Sequence, residues 1–264
     1  MSLRFFLLAI LLFASFATPV YSQARPSDPQ AVAILTQSLG AAGVVLNPVE
    51  GLTATGTITY FWAGQPVQVA ATLRAHGPDQ FRIDASVPGG MRSVSVGRDA
   101  GGRLDADGKF TEIPLHNRMS LGGTAFPYLP IAAVLKDPEM TLSYVGLVED
   151  GLRQLHQIRA IKSFSSEQDP NGVLAKLTQT DFFVDAQTNL IVKVSDITHP
   201  IETLTEDYPR ETEFEGYSTK SAIAVPGLVR QKISGQTVWE LRLSDVSFNT
   251  PLSDADFRLR PGSP

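Results

Sequence analysis

The chain contains no cysteine. Disulfides, thiolate metal ligands, a cysteine nucleophile and a lipidated cysteine are therefore excluded. Basic residues are also few, since 22 Lys and Arg are outnumbered by 27 Asp and Glu among the 264 residues. An acidic protein of this kind lacks the basic patch that nucleic acid requires and the polybasic segment that anionic lipid attracts. We expect no nucleic-acid partner and at most transient contact with a membrane surface.

Long apolar runs are confined to the start of the chain. Arg4 precedes an apolar run that ends at Ala17, and a small-x-Ala cleavage site ends at Ala24. This pattern predicts a secretory signal peptide over residues 1–24, because the run is too short for a spanning helix and has the flanks of a signal sequence. We therefore expect an exported, soluble, periplasmic protein in which residues 25–264 form a single domain.

Catalytic and metal-binding motifs are missing as well. There is no H-E-x-x-H, no G-x-S-x-G and no glycine-rich loop between a strand and a helix. A partial calcium-loop pattern at Asp105–Gly108 fails at its first and twelfth places, Arg103 and Pro114, so a hairpin turn explains it better. The four histidines share no ligand spacing; they are His76, His116, His156 and His199. We predict no catalytic residue, no metal site and no cofactor. An enzyme with a dispersed site remains a third hypothesis, which two histidines and an acid in one cleft would support.

What the chain does contain begins with one amphipathic helix. Asp28 is an N-cap candidate, Pro29 suits the first helical position, and apolar residues recur at helical spacing as far as Leu39. The helix is predicted to end at Gly40 or Gly43. Its apolar stripe must be buried, most simply against one face of a sheet.

Three clean alternations of apolar and polar residues follow, separated by turn residues. They predict the strands Thr57–Trp62, Val67–Arg74 and Phe81–Val87, and Asp107-Gly108 supplies a later hairpin turn. Consecutive alternating strands of this kind form an antiparallel meander with one dry face and one wet face.

The segment Gly122–Lys136 interrupts the strands. It is apolar almost all round, and Pro130 can serve as the first residue of a short helix that ends near Lys136. A helix without a polar face must be covered on most sides, and the concave side of a twisted sheet is the place that covers it. The hairpins Met140–Ile161 and Thr178–Thr198 are predicted after it.

The late part of the chain predicts a long, bent sheet. Strands are expected at Glu211–Lys220, Leu228–Ser234 and Thr237–Phe248, with Gly235-Gln236 as a two-residue type II′ connection between the last two. In the last strand the alternation of apolar and polar residues shifts by one residue at Asp245. A β-bulge produces such a slip and bends the sheet.

A curved sheet with only two short helices leaves part of its concave face uncovered. Any single aromatic residue is more often core than ligand contact, but uncovered apolar concavity is a site for acyl chains or hydrophobic peptides. A dozen buried methylenes contribute about 10 kcal/mol at about 0.8 kcal/mol each, before ordering costs. The candidate residues of a hydrophobic ligand site are Tyr60, Trp62, Phe81, Ile83, Phe126, Leu129, Leu135, Phe182, Trp239 and Leu241.

The order of these elements and a few short motifs carry a family resemblance. The motifs are Asp181–Asp185, Glu215–Tyr217 followed by Val225–Leu228, then Val246–Asn249 and Asp254–Phe257. In plan, over nearly the whole mature chain, the sequence resembles the lipoprotein-carrier superfamily typified by the periplasmic carrier LolA and its outer-membrane receptor partner LolB. The resemblance implies a mainly β (α+β) fold. A single curved antiparallel sheet forms an unclosed half-barrel, with an N-terminal helix and a short lid helix over the concave face.

This resemblance implies a function together with the fold. We expect an exported, monomeric, non-enzymatic carrier or chaperone. It binds lipid or lipoprotein acyl chains in a hydrophobic half-barrel cavity for transfer within the cell envelope. The alternative is a non-catalytic interaction or structural module of the same fold, which has a filled core and binds envelope proteins at its sheet edge.

Overall fold

The computed structural model describes residues 26–61 and 65–259. The predicted signal peptide and the candidate residue Trp62 lie outside the described residues. The helices are α1 (Pro29–Ala41), α2 (Tyr128–Val134) and α3 (Val173–Thr178), with short 3₁₀ turns at Leu115–Asn117 and Asp254–Phe257. None of the helices in the described ranges has the length and apolar character needed to cross a membrane.

Strands make up most of the described chain. In order they are β1 (Gly51–Tyr60), β2 (Val67–His76), β3 (Gln80–Val87), β4 (Gly90–Val96), β5 (Gly101–Leu104), β6 (Phe110–Glu112), β7 (Met140–Asp150), β8 (Arg153–Lys162), β9 (Thr180–Asp185), β10 (Ile191–Thr198), β11 (Tyr208–Glu215), β12 (Ser218–Lys220), β13 (Ile223–Val225), β14 (Leu228–Ile233) and β15 (Gln236–Phe248).

Thirteen of these strands form one antiparallel sheet, in the order β6-β5-β4-β3-β2-β1-β15-β14-β11-β10-β9-β8-β7. The strands β12 and β13 pair separately as a small hairpin. The sheet is not closed into a barrel, and β6 and β7 form its two edges. The predicted fold class is thus confirmed: a mainly β chain with one large antiparallel sheet, few helices and a helix at the N-terminal end.

The last strand has a β-bulge one residue before the predicted position. The β1–β15 register shifts at Ser244, the residue before Asp245, and the Ser244 hydroxyl donates to the carbonyl of Thr55 at 3.0 Å. Gly56 faces this bulge, and a Cβ there would lie 2.1 Å from the carbonyl oxygen of Arg242. The close approach of β1 to the bulged strand therefore requires glycine at position 56.

Helix α1 has the predicted cap and the predicted buried stripe. Asp28 Oδ1 accepts a hydrogen bond from the Gln30 N–H at 2.8 Å, and Pro29 is the first helical residue. The buried residues of the helix are Ala31, Ile34, Leu35, Ser38 and Leu39. The four apolar residues among them join the main hydrophobic core together with α2 and residues of the sheet.

Helix α2 begins two residues earlier than predicted. Pro127 occupies the N-cap and Tyr128 starts the helix, so Pro130 falls at the third position, where the missing N–H still costs no intrahelical bond. Phe126 and Tyr128 are at most 1 % exposed, and their ring centroids are 5.5 Å apart. Phe126 also packs 6.0 Å from Phe248 of β15. The apolar segment therefore packs into the core of this part of the half-barrel.

Two predictions about the late strands are wrong. The β14–β15 turn is Ser234-Gly235, with φ of 50° and 78°. Two positive φ values define a type I′ turn, not the type II′ turn expected at Gly235-Gln236. The strand predicted at Glu211–Lys220 breaks at Gly216, whose φ is 63°, and its second half forms the β12–β13 hairpin instead.

Candidate functional site

A cavity of about 460 Å³ lies at one end of the half-barrel. Residues of β3, β4, β5 and β6 line one wall, and residues of β10, β11, β14 and β15 line the opposite wall. Strands far apart in the sheet order thus face each other across the cavity, which shows that the sheet is curled around it. The apolar lining includes Ile58, Val94, Val96, Ile113, Ile201 and Ile233.

Four of the ten predicted site residues line this cavity: Tyr60, Phe81, Ile83 and Trp239. Tyr60 and Trp239 are direct partners in the β1–β15 pairing, and Trp239 Nε1 donates to Gln231 Oε1 at 3.1 Å on the neighbouring strand. Burial raises the pKa of Tyr60 to about 12, against the opposing charge of the Arg92 guanidinium. The Tyr60 hydroxyl is therefore protonated at neutral pH.

Five other predicted residues lie outside the cavity lining. Leu129, Leu241, Phe126 and Phe182 are at most 5 % exposed within the packed core, and Leu135 is half-buried at the end of α2. Leu241 lies on the same face of β15 as Trp239, but this stretch of the concave face is covered by α1, α2 and the segment before α2. None of these five residues lines the cavity, so they do not enter the proposed site.

An ion pair that the sequence analysis missed lies at the cavity wall. Arg210 lines the cavity, and its Nε and Nη2 donate to Asp196 Oδ1 at 2.8 Å and Oδ2 at 2.5 Å. The same carboxylate accepts the Ser120 hydroxyl and, at 3.1 Å, the Gly122 N–H. Burial lowers the pKa of Arg210, but the Asp196 carboxylate outweighs it and the net pKa is raised. The Arg210 guanidinium therefore stays charged, and its charge is balanced within the ion pair.

Arg103 is a second missed residue. It belongs to a row of direct strand partners on the concave face, Ile83, Val94, Arg103 and Thr111. Arg103 is exposed, and it forms no ion pair with any residue in the described ranges. Side chains alternate between the two faces of a strand, and extending this alternation from β4 across the hairpin to β5 predicts that Arg103 lies on the concave face.

Two histidines and an acid meet at the rim of the cavity. The rings of His116 and His199 lie edge to face at 5.9 Å, and His199 Nε2 is 3.1 Å from Asp207 Oδ1. This is the clustering that would support the enzyme hypothesis. However, His116 Nε2 donates to the carbonyl of Pro200, and Asn117 exchanges two hydrogen bonds with the backbone of His199. These contacts anchor the loop after β10 to the 3₁₀ turn after β6, and they account for the cluster without a reaction.

The fold was compared with known proteins. No family model matches the chain, and no curated protein matches it in sequence. Among solved structures, a LolA superfamily protein from Nitrosomonas europaea matches with a TM-score of 0.53 at 11 % identity, over 87 % of this chain and 97 % of that one. A domain named for outer membrane lipoprotein sorting, from Vibrio parahaemolyticus, matches with a TM-score of 0.52 at 14 % identity, over 86 % and 96 %. A DUF1329 family protein from Desulfovibrio piger gives 0.52 at 10 %, over 87 % and 96 %.

The chain has a LolA-like fold. Identities this low establish the fold alone, so the contents of the LolA-like half-barrel must be read from its own residues. Here α1, α2 and the residues before α2 fill the concave face over β8 to β11. The cavity of about 460 Å³ lies beside this filled part, between β3 to β6 and the lining residues of β10, β11, β14 and β15.

Proposed function

We propose that this protein is an exported, periplasmic carrier or chaperone that binds an acyl chain of a lipid or lipoprotein in its half-barrel cavity. The observation that carries the proposal is the apolar cavity lined by Tyr60, Phe81, Ile83 and Trp239. In the proposal residues 1–24 direct export, residues 25–264 act as one monomeric domain, and transfer occurs within the cell envelope. The protein performs no reaction on its cargo.

The size of the cavity supports an acyl ligand. At about 30 Å³ for a group the size of a water molecule, 460 Å³ accommodates about 15 methylene groups. At about 0.8 kcal/mol for each buried methylene the gross stabilisation is about 12 kcal/mol, before ordering costs. A single acyl chain can therefore be held in water by apolar contact.

A cavity-filling substitution tests the proposal. Val94 lies in the middle of the apolar wall, so Val94→Trp should occupy the space of the ligand. Val145→Trp is the matched control, because Val145 is 48 % exposed on edge strand β7, outside the cavity. Mature protein purified from the periplasm is examined by native mass spectrometry with lipid extraction, and circular dichroism verifies the fold of each variant.

We expect the unsubstituted protein and Val145→Trp to carry bound lipid and Val94→Trp to lose it while remaining folded. A ligand-free mass for the unsubstituted protein, together with no uptake of a hydrophobic probe, would contradict the carrier function. Equal lipid content in all three proteins would place the lipid elsewhere.

The alternative is an interaction module of the cell envelope. The filled concave face over β8 to β11 favours it, as does edge strand β7, on which Val145 and Leu147 are about half exposed. Ser27 and Asp28 form hydrogen bonds with this edge from Met140 to Tyr144, but beyond Tyr144 no described strand pairs with it. Such an edge can accept a strand from a partner protein. In that case the unsubstituted protein is free of lipid, and Val145→Lys, but not Val94→Trp, weakens the recovery of cross-linked envelope proteins.

A further inference from the structure

A positive charge stands at the open end of the apolar cavity. Arg103 projects from the concave face of β5, directly beside Val94 on β4 and Thr111 on β6, and its side chain reaches the cavity lining. A cationic side chain among apolar inward-facing residues is costly unless it remains hydrated or meets an anion. Arg103 is exposed at the rim, where it can do both.

The other charges near the cavity do not neutralise Arg103. Arg210 is held by Asp196, and the nearby Arg92 has its own carboxylate, Asp105, at 3.4 Å. Glu112 is the remaining acid in the lining; it is exposed and forms no ion pair in the described part of the chain. Glu112 pairs across the strands with Gly102, so it alternates in side-chain direction with Thr111, which faces Arg103.

We propose that the preferred ligand is a free long-chain carboxylate, whose head group binds Arg103 while its single alkyl chain runs inward past Val94 and Ile83 towards Trp239. This inference rests on the proposed function and narrows its cargo. A guanidinium matches a carboxylate with two parallel hydrogen bonds. The volume of about 460 Å³ holds about 15 methylenes at about 30 Å³ each, which matches one long alkyl chain.

The test compares ligands that differ only in their head group. Delipidated mature protein is loaded with the uncharged dye Nile red, which is then displaced by hexadecanoate, hexadecanol or hexadecyl phosphate at neutral pH. We expect hexadecanoate to displace the dye at about a tenfold lower concentration than hexadecanol, the factor that about 1.4 kcal/mol provides. Hexadecyl phosphate should not displace it better than hexadecanoate.

Variants assign this preference to a residue. Arg103→Gln should remove the tenfold gap and leave hexadecanol unchanged, whereas Arg103→Lys should retain part of it. Arg242→Gln is the matched control, since Arg242 is 65 % exposed and lies outside the cavity lining.

Three results overturn the inference. They are a gap that persists in Arg103→Gln, equal displacement by hexadecanoate and hexadecanol, and tighter binding of hexadecyl phosphate, which would assign Arg103 to phosphate. Failure of all three ligands and of the dye itself to bind would instead refute the acyl-binding function. The two failures are thereby distinguished.

Discussion

Replacing Asp196 with alanine tests how deeply the ion pair at the cavity wall is removed from water. The Asp196 side chain is 0 % exposed and that of Arg210 is 13 % exposed. Removing the carboxylate leaves the Arg210 charge buried without its partner and frees the Ser120 hydroxyl and the Gly122 N–H. Breaking a buried pair in this way costs about 3–5 kcal/mol. With a urea slope of about 2 kcal/mol/M, the unfolding midpoint should fall by about 2 M.

Two further proteins sharpen this experiment. Asp150→Ala breaks an exposed pair with Arg153, in which both side chains are 46 % exposed, and should cost no more than about 1 kcal/mol. The double variant Asp196→Leu/Arg210→Met replaces the buried pair with apolar side chains and should recover most of the loss. If Asp196→Ala costs no more than the exposed control, the pair is solvated and the reasoning is wrong. If the double variant is as unstable as the single one, the loss comes from misfit and not from an unpaired charge.

Two other predictions concern the core and one hairpin. Phe126→Ala should destabilise the protein by about 3–5 kcal/mol, measured by thermal or urea unfolding, because it leaves a void between Tyr128 and β15. Asp185 is partly buried, which raises its pKa, but hydrogen bonds from Gln187 and Thr188 outweigh this and hold the pKa below the usual value. A carboxylate whose pKa is lower in the folded state stabilises the folded protein at pH values above its unfolded-state pKa. This stabilisation is lost as the pH falls through the folded-state pKa. Asp185→Ala should therefore lower the free energy of unfolding by about 1–2 kcal/mol at neutral pH. Urea unfolding at a series of pH values should show that the difference between the two proteins shrinks in acid. A difference that stays constant with pH would contradict this explanation.

Local patterns predicted most of the elements because the signals for them are local. The cap at Asp28, the stripe of α1 and the period-2 alternation of β1 to β3 depend on residues a few positions apart. The elements that were missed are short: α3 has six residues and β12 and β13 have three each, too few to show a period. The β14–β15 turn was misplaced by one residue because Ser234, unlike glycine, gives no sign of its positive φ.

The candidate site also has one part that local sequence patterns predict and another part that they do not. Alternation predicts which side chains face inward, and Tyr60, Phe81, Ile83 and Trp239 lie there as expected. It does not predict which inward-facing residues are covered, because α1 and α2 are placed by contacts distant in sequence. The same alternation held a signal for Arg210, since Arg210, Thr212 and Phe214 share one face of β11 and three glutamates share the other. Arg210 was not predicted to face inward because a charged side chain is normally assigned to the solvent-facing side of a strand.

The position of β15 has a consequence for the order in which the protein can fold. This strand lies between β1 and β14, so β1, the first described strand, pairs with the last described strand in chain order. Until residues 236–248 emerge, the sheet consists of two separate halves with the bare edges of β1 and β14. Contacts of such large sequence separation form slowly, since the loop that they close must be ordered first. Folding should therefore be slow, and unpaired strand edges would be exposed to neighbouring chains in the meantime.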